Sequence, residues 1–94
     1  MAAIGVLTLE LRLEHAHSLK EKRHVVKGLK DRLRHKFNVS VAEIDDQDLH
    51  NSAVMAAAVV SPSRAFAAKV LESVEAEAAA LLGPMLIRAE TEWL

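Results

Sequence analysis

Basic residues are concentrated in one short segment of the chain, between residues 19 and 37. This segment carries eight Lys or Arg residues against two acidic residues, a local net charge of +6. From residue 43 onward the balance reverses, with nine acidic residues against three basic ones. Because the formal net charge of the whole 94-residue chain is only −1, this segregation predicts a directed electrostatic surface.

Five of these cations have the spacing of one helix face. At 100° per residue they span an arc of about 80° beside an apolar stripe, while Lys22, Arg32 and Lys36 are predicted on the other flank. No acidic residue at complementary spacing is expected to neutralise the five. They predict contacts with the phosphates of a nucleic acid, the alternative being a solvated face whose side chains cover the core edge. We call this set the basic arc: Lys20, Arg23, Lys27, Lys30 and Arg34.

Few residues of the chain have the types and spacing of a metal or cofactor site. Asp45, Asp46 and Asp48 form an acidic connection that lacks the glycine and terminal glutamate of a calcium loop, so a simple turn is the better interpretation. His15 and His17 are two residues apart, without an obvious third ligand. There is no cysteine, which excludes thiolate sites. We therefore expect neither a metal nor a cofactor.

Motifs of known enzyme classes are also missing. The chain has no GxSxG, phosphate-loop or HExxH pattern, and residues 14–22, which follow the first predicted strand, lack the glycine-rich cradle of acylphosphatases. RNA-recognition domains stack bases on aromatic residues of their central strands, but residues 53–60 contain no aromatic residue. We expect a protein without catalytic residues that does not bind RNA by aromatic stacking.

The first half of the chain predicts a strand, a helix and a second strand. Leucines at alternate positions from Leu7 to Leu13 predict a strand with one buried face. Ser18 and Glu21 form a capping box, and the apolar spacing that follows predicts a helix over 18–37, then a strand over 39–42. The apolar stripe of this helix is Val25, Val26, Leu29, Leu33 and Phe37.

The second half repeats this alternation. Residues 52–60 predict an apolar strand that buries either its odd-numbered or its even-numbered residues. Ser61 is the predicted N-cap of a helix over 62–82, which Gly83 ends, and residues 85–93 form a closing strand. The predicted stripe of the second helix is Phe66, Val70, Leu71, Val74, Ala78 and Leu81.

The order βαββαβ predicts an α+β, ferredoxin-like sandwich in a single domain over residues 1–94. Right-handed crossovers place both helices on one face of a four-stranded antiparallel sheet. The other face is then open and lined by small apolar residues, which predicts self-association as a homodimer.

Three segments resemble the YlxP-like family of small bacterial proteins of unknown function. They are Ser-Leu-Lys-Glu-Lys-Arg at 18–23, Phe-Asn-Val-Ser-Val-Ala-Glu at 37–43 and Asp-Asp-Gln-Asp-Leu at 45–49, together with Val-Val-Ser at 59–61. The resemblance covers residues 4–94 and implies a ferredoxin-like fold. It also implies a translation-linked role, since the genes of the family often lie beside genes for translation initiation and ribosome maturation. It supplies no catalytic residue.

The sequence therefore favours a non-enzymatic, translation-linked accessory protein that associates with the ribosome or RNA through its basic helix. The alternative is a homo-oligomeric interaction module, or a regulatory module for a small ligand, that uses the open sheet face. The longest apolar run, residues 53–60, is too short to span a membrane, and the N-terminal residues carry no secretion signal. We expect a cytoplasmic protein without a membrane partner.

Overall fold

Four strands and two helices alternate along the chain in the predicted order. The computed structural model describes residues 1–94, and its strands form one antiparallel sheet in the order β2-β3-β1-β4. Both helices cover the same face of this sheet, so the predicted ferredoxin-like fold is confirmed. The elements are β1 (Ala3–Arg12), α1 (Leu19–Lys36), β2 (Ser40–Asp45), β3 (Ser52–Ser61), α2 (Arg64–Leu82) and β4 (Leu86–Trp93).

The centre of the core is the pair formed by β1 and β3. Leu7 lies opposite Ala57 and Leu9 opposite Met55 in the register of the two strands, and all four side chains are buried. The odd-numbered residues of β3 are thus the buried set, which resolves the choice that the sequence left open. Small alanines in β3 let the helices pack closely on the leucines of β1, because packed cores leave few voids.

The N-terminus of α1 has the predicted cap with one altered partner. The Ser18 hydroxyl accepts a hydrogen bond from the Glu21 backbone N–H at 3.2 Å. The Glu21 carboxylate in turn accepts from the backbone N–H of His17, at 3.1 Å, rather than from that of Ser18. One N–H group that helix geometry leaves unpaired, that of Glu21, is satisfied in this way, and so is the N–H of the residue that precedes the cap.

In α2 the predicted cap is wrong by two residues, whereas the predicted stripe is confirmed in part, since Leu71, Val74 and Ala78 are buried and Val70 packs against the core. Ser63 caps the helix, whereas the Ser61 hydroxyl accepts from the Ser63 N–H. Phe66 and Leu81 are exposed, and the buried face consists of smaller residues on average, because α2 lies close to the sheet. These buried residues are Ala67, Leu71, Val74, Ala78 and Leu82.

Strand β4 departs from simple alternation at a bulge. The register with β1 shifts between Glu10 and Leu11, so that Leu86 lies opposite Leu11 and packs against the core. Ile87, which strict alternation over the closing strand would place on the face of Trp93, is 51% exposed instead. The regular alternation of the sequence could not show this inserted residue.

Near the end of β4 the side chain of Trp93 packs over Gly5, and a Cβ atom at this glycine would lie only 2.8 Å from the indole ring. The Arg64 guanidinium stacks on the same ring, 4.7 Å from its centroid. This close approach requires a glycine at position 5, since a larger residue would push the tryptophan away from the core.

The face of the sheet that no helix covers is apolar at one end of its central strands and polar at the other, where β1 places Thr8, Glu10 and Arg12. Its cross-strand neighbours include Ile4 with Val60 and Val6 with Ala58, and Val60 is 69% exposed. Separately, neither helix combines the length and the low polarity that crossing a membrane would require.

Candidate nucleic-acid interface

Helix α1 carries eight cations, and the structure divides them into two groups. Three of them bind oxygen atoms of other elements, and the remaining five are the basic arc. The three bound cations are Lys22, Arg32 and Lys36.

The most deeply placed of these cations is Lys22, whose side chain is 1% exposed. Its ammonium donates to the backbone carbonyl of Leu49 at 2.6 Å and to that of Asp46. The same nitrogen lies 2.8 Å from Glu43 Oε2. That contact is an ion pair without the angle of a hydrogen bond, so Oε2 is buried and stabilised by charge alone. A buried ammonium with three oxygen neighbours is satisfied.

These contacts attach the connection between β2 and β3 to the first turn of α1. Asp46 adopts a left-handed conformation, with φ of 61°, and its carboxylate accepts from the Ser52 hydroxyl at 3.2 Å. Asp45 accepts from the backbone N–H of Asp46. The acidic connection is therefore a turn closed by its own hydrogen bonds and by Lys22.

On the side of α1 that faces α2, Glu77 binds two cations. Arg32 Nε and Lys36 Nζ lie 2.7 Å and 2.8 Å from its two carboxylate oxygens. Hydrogen bonds from Lys36 and Arg32 hold the pKa of the Glu77 carboxyl below its usual value. The pair of bonds joins the two helices across the outer surface of the protein.

The basic arc, in contrast, has only one internal partner. Lys27 binds Asp31 at 2.6 Å, one turn later on the same helix, so the expectation that no acid neutralises the arc is wrong at this position. The hydrogen bond from Lys27 lowers the pKa of Asp31, and the nearby charges of Arg34 and Lys30 act in the same direction. No ion pair or hydrogen bond holds the other side chains, Lys20, Arg23, Lys30 and Arg34.

The last two residues of the arc line a concave surface. It lies beside the first residues of the edge strand β2, has a volume of about 530 Å³ and contains no acidic residue. We call this concavity the edge groove; its lining residues are Lys30, Arg34, Asn38, Val39, Ser40, Val41, Ala58 and Val60.

The histidines do not assemble as their sequence spacing suggested. His17 lines a cleft with His50, Arg12 and Glu14, whereas His15 lies in different surface depressions. No group of three His, Cys, Asp or Glu side chains is arranged to hold a metal ion. The proximity of His17 and His50 depends on the pairing of β1 with β3, which the sequence spacing alone does not reveal.

Comparison with known proteins places the chain in a family. Residues 4–90 match the model of the family described as "Protein of unknown function (DUF503)". The chain belongs to this family. Among its relatives is the uncharacterized protein YlxP of Bacillus subtilis (strain 168), which is 42% identical over 71 residues, 76% of this chain and 77% of YlxP.

Solved structures show the same fold in proteins of unrelated sequence. The de novo designed protein Foldit4 matches 100% of this chain and 97% of its own, with a TM-score of 0.64 and 10% identity. A second designed protein, described as having a ferredoxin fold, matches 100% of this chain and 84% of its own, with a TM-score of 0.59 and 12% identity. These likenesses concern the fold alone.

Proposed function

We propose that this protein is a non-enzymatic, translation-linked accessory protein that binds RNA, on the ribosome or free, through its basic arc. The observation that carries the proposal is the unequal use of the cations of α1. Those on the inner and α2-facing sides are bound to oxygen atoms, whereas four of the five arc cations have no partner. Unpaired cations held on one rigid face are suited to bind phosphates.

The dimensions of the arc agree with this role. From Lys20 to Arg34 the helix rises about 21 Å, at 1.5 Å per residue. About six phosphates of one nucleic-acid strand lie along a similar axial distance, at roughly 3.4 Å per nucleotide. The arc would hold the RNA by its phosphates, and it contains no group that reads bases. We therefore expect affinity with little sequence selectivity.

A charge-matched pair of double variants tests the proposal. K20Q/R23Q removes two unpaired cations of the arc, and R32Q/K36Q removes two cations of the same helix that Glu77 already binds. Binding of a ribosomal RNA fragment is measured by fluorescence anisotropy at several salt concentrations between about 50 and 200 mM. For K20Q/R23Q the slope of log affinity against log salt should fall by roughly 1.5, since each phosphate contact contributes about 0.7–0.9.

The R32Q/K36Q variant should retain nearly the full slope of the unmodified protein. Equal losses in the two variants would show that only net charge matters and would overturn the assignment to the arc. Absence of binding by the unmodified protein at low salt, where screening is weakest, would overturn the RNA-binding function itself.

A second candidate function, self-association through the open sheet face, is favoured by the exposure of that face. Ile4 and Val60 are neighbours across β1 and β3, and they are 39% and 69% exposed. Apolar residues grouped in this way are typical of interfaces, and a two-fold symmetric dimer is the commonest result.

Light scattering at micromolar concentration distinguishes the two states. A dimer should have twice the 10.3 kDa mass of the chain, and A58R, which places a charge in the middle of the face, should return it to a monomer. A protein that remains at 10.3 kDa without the substitution contradicts self-association.

A further inference from the structure

The edge groove exists because β3 extends beyond its neighbour β2. The ladder between the two strands begins at Ser40, which lies opposite Ala58, yet β3 continues to Ser61 and remains paired with β1 over this stretch. Asn38 and Val39, the two residues that precede β2 and would prolong it along β3, lie outside the strand. One side of β3 is therefore uncovered at this end.

The uncovered side presents the backbone of Val60. Ile4 accepts a hydrogen bond from the N–H of Leu94, on the β4 side of β1. Successive residues of a strand direct their N–H and C=O groups to opposite sides. The backbone groups of Gly5 therefore point to β3, and those of its partner Val59 point to β1. The backbone N–H and C=O of the next residue, Val60, then point to the edge groove, where they have no main-chain partner. Its N–H is a free donor and its C=O a free acceptor.

Two unpaired cations border this free backbone. Lys30 and Arg34 line the same groove, and no acidic residue does so. Phosphates in nucleic-acid complexes accept hydrogen bonds from Lys and Arg side chains and from backbone N–H groups. The edge groove is lined by all three kinds of donor: a lysine, an arginine and a free backbone N–H.

The remaining lining has the character needed for the rest of a nucleotide. Val39 and Val60 offer apolar surface, and Asn38 and Ser40 offer polar groups at the rim. The groove is an open concavity of about 530 Å³, so it would hold a base against its wall without enclosing it. A base must leave its stack before it can occupy such a groove, and in RNA this is the state of single-stranded segments and loops.

We propose that the edge groove binds one unstacked nucleotide of single-stranded RNA, with its phosphate at Lys30, Arg34 and the Val60 N–H. This inference rests on the proposed function, because the same arc guides the strand into the groove. It adds a preference that the arc alone does not supply. An unpaired strand binds more tightly than a duplex of the same sequence.

Filling the groove without changing its charge tests this preference. N38L/S40L places two apolar side chains at its rim, and both positions are exposed. The matched control, N51L/S73L, makes the same two changes at exposed positions away from the groove. Anisotropy titrations compare a single-stranded RNA of 12 nucleotides with the duplex that it forms with its complement, both at the same low salt concentration.

For the single strand, N38L/S40L should bind about tenfold more weakly, because the two leucines occupy the space that the base would enter. Its duplex binding should stay unchanged, and the control should match the unmodified protein on both RNAs. Amide NMR spectra of the unmodified protein supply a second measurement that needs no substitution. Titration with the single strand should shift the Val60 amide signal more than those of Val54 and Ala56, which lie on the same strand away from the groove.

The possible failures are distinguishable. If the unmodified protein binds both RNAs equally, or if Val60 does not shift while K20Q/R23Q still weakens binding, the groove proposal is wrong and the arc remains the binding site. If the unmodified protein binds neither RNA, both proposals are wrong. If N38L/S40L weakens single-strand and duplex binding alike, the groove makes no distinction between them and the proposed preference is wrong.

Discussion

The two sides of α1 use the same residue types for different purposes. On its inner and α2-facing sides, Lys22, Arg32 and Lys36 bind oxygen atoms of the β2–β3 connection, β2 and α2. On the arc side, four cations reach no oxygen within the protein. A helix rich in Lys and Arg is therefore not a uniform basic surface, and only part of its charge is available to an external partner.

The difference arises from where the acidic residues of the chain are brought by the fold. Glu43 and Glu77 are distant in sequence from the cations they bind and contact them only because β2 and α2 pack beside α1. Both lie away from the arc, whose one acidic neighbour, Asp31, comes from the helix itself. The fold thus separates cations that hold the structure together from cations that remain free.

The largest effect should come from the buried side. Lys22→Met leaves two backbone carbonyls and the Glu43 carboxylate without their cation. We expect it to lower the free energy of unfolding by about 3–5 kcal/mol, as for other buried ion pairs that lose one member, out of a total of roughly 5–15 kcal/mol. Urea denaturation at neutral pH measures this change.

Lys20→Met is the matched control, since Lys20 lies on the same helix, is exposed and has no partner. It should change stability by no more than about 0.5 kcal/mol. Equal stability losses in the two variants would contradict the structural role of Lys22. Partial recovery in K22M/E43L, in which the unpaired carboxylate is also removed, would assign part of the loss to that charge.

The fold was predictable because its signals are local. Alternating leucines in β1 and the cap at Ser18 depend only on neighbouring residues, and the order of elements then restricts the topology. The stripe of α2 was less predictable. The large residues Phe66 and Leu81 suggested burial, but close packing against the sheet selects Ala67 and Leu82, one residue further along.

The candidate site was predictable only in part. The arc follows from helical spacing, yet the partners of the other cations depend on tertiary contacts that sequence spacing cannot show. Lys22 had one overlooked signal, because its spacing from Val26, Leu29 and Leu33 places it at the centre of the buried stripe and not on its flank. The edge groove had none, since it depends on the unequal lengths of two paired strands.

The contrast between the two sides can be removed by releasing the bound cations. Glu77→Gln deprives Arg32 and Lys36 of their carboxylate and gives α1 a second unpaired basic surface. If free cations bind RNA, the slope of log affinity against log salt should steepen by up to roughly 1.5, from two additional phosphate contacts.

The control is Glu75→Gln, an exposed residue of α2 without an ion pair, which makes the same change in net charge. It should alter the slope little. A similar steepening in both variants would mean that net charge determines the affinity, whatever the position of the cations.

The contribution of the bonds from Lys36 and Arg32 to Glu77 to the stability of the fold can be measured by acid titration. Lys36 and Arg32 lower the pKa of Glu77 in the folded protein, so the ionised carboxylate stabilises the fold. This contribution is complete above the unfolded pKa, about 4.3, and is lost as the pH falls through the lower folded pKa.

The difference between the urea midpoints of the unmodified protein and E77Q should therefore be present at pH 7 and should shrink as the pH is lowered below the unfolded pKa, about 4.3. Asp31, which has a lowered pKa for a similar reason, contributes equally to both proteins and cancels from the comparison. A midpoint difference that grows on acidification would contradict the assignment.

The smallest change sharpens the comparison within the arc itself. Lys27 is the one arc residue with a partner, and Asp31→Asn should make it as free as the other four. Since Lys27 is 77% exposed, releasing it requires no rearrangement, and such exposed pairs contribute little to stability. The slope of log affinity for RNA against log salt should steepen by about 0.7–0.9, the value of one phosphate contact, with an almost unchanged urea midpoint.

The control is Asp48→Asn, an equal charge change on an exposed residue outside α1. It should leave the slope as it was. If D31N and D48N increase the affinity equally, then Lys27 does not contact the RNA, and the arc that binds phosphate is limited to Lys20, Arg23, Lys30 and Arg34.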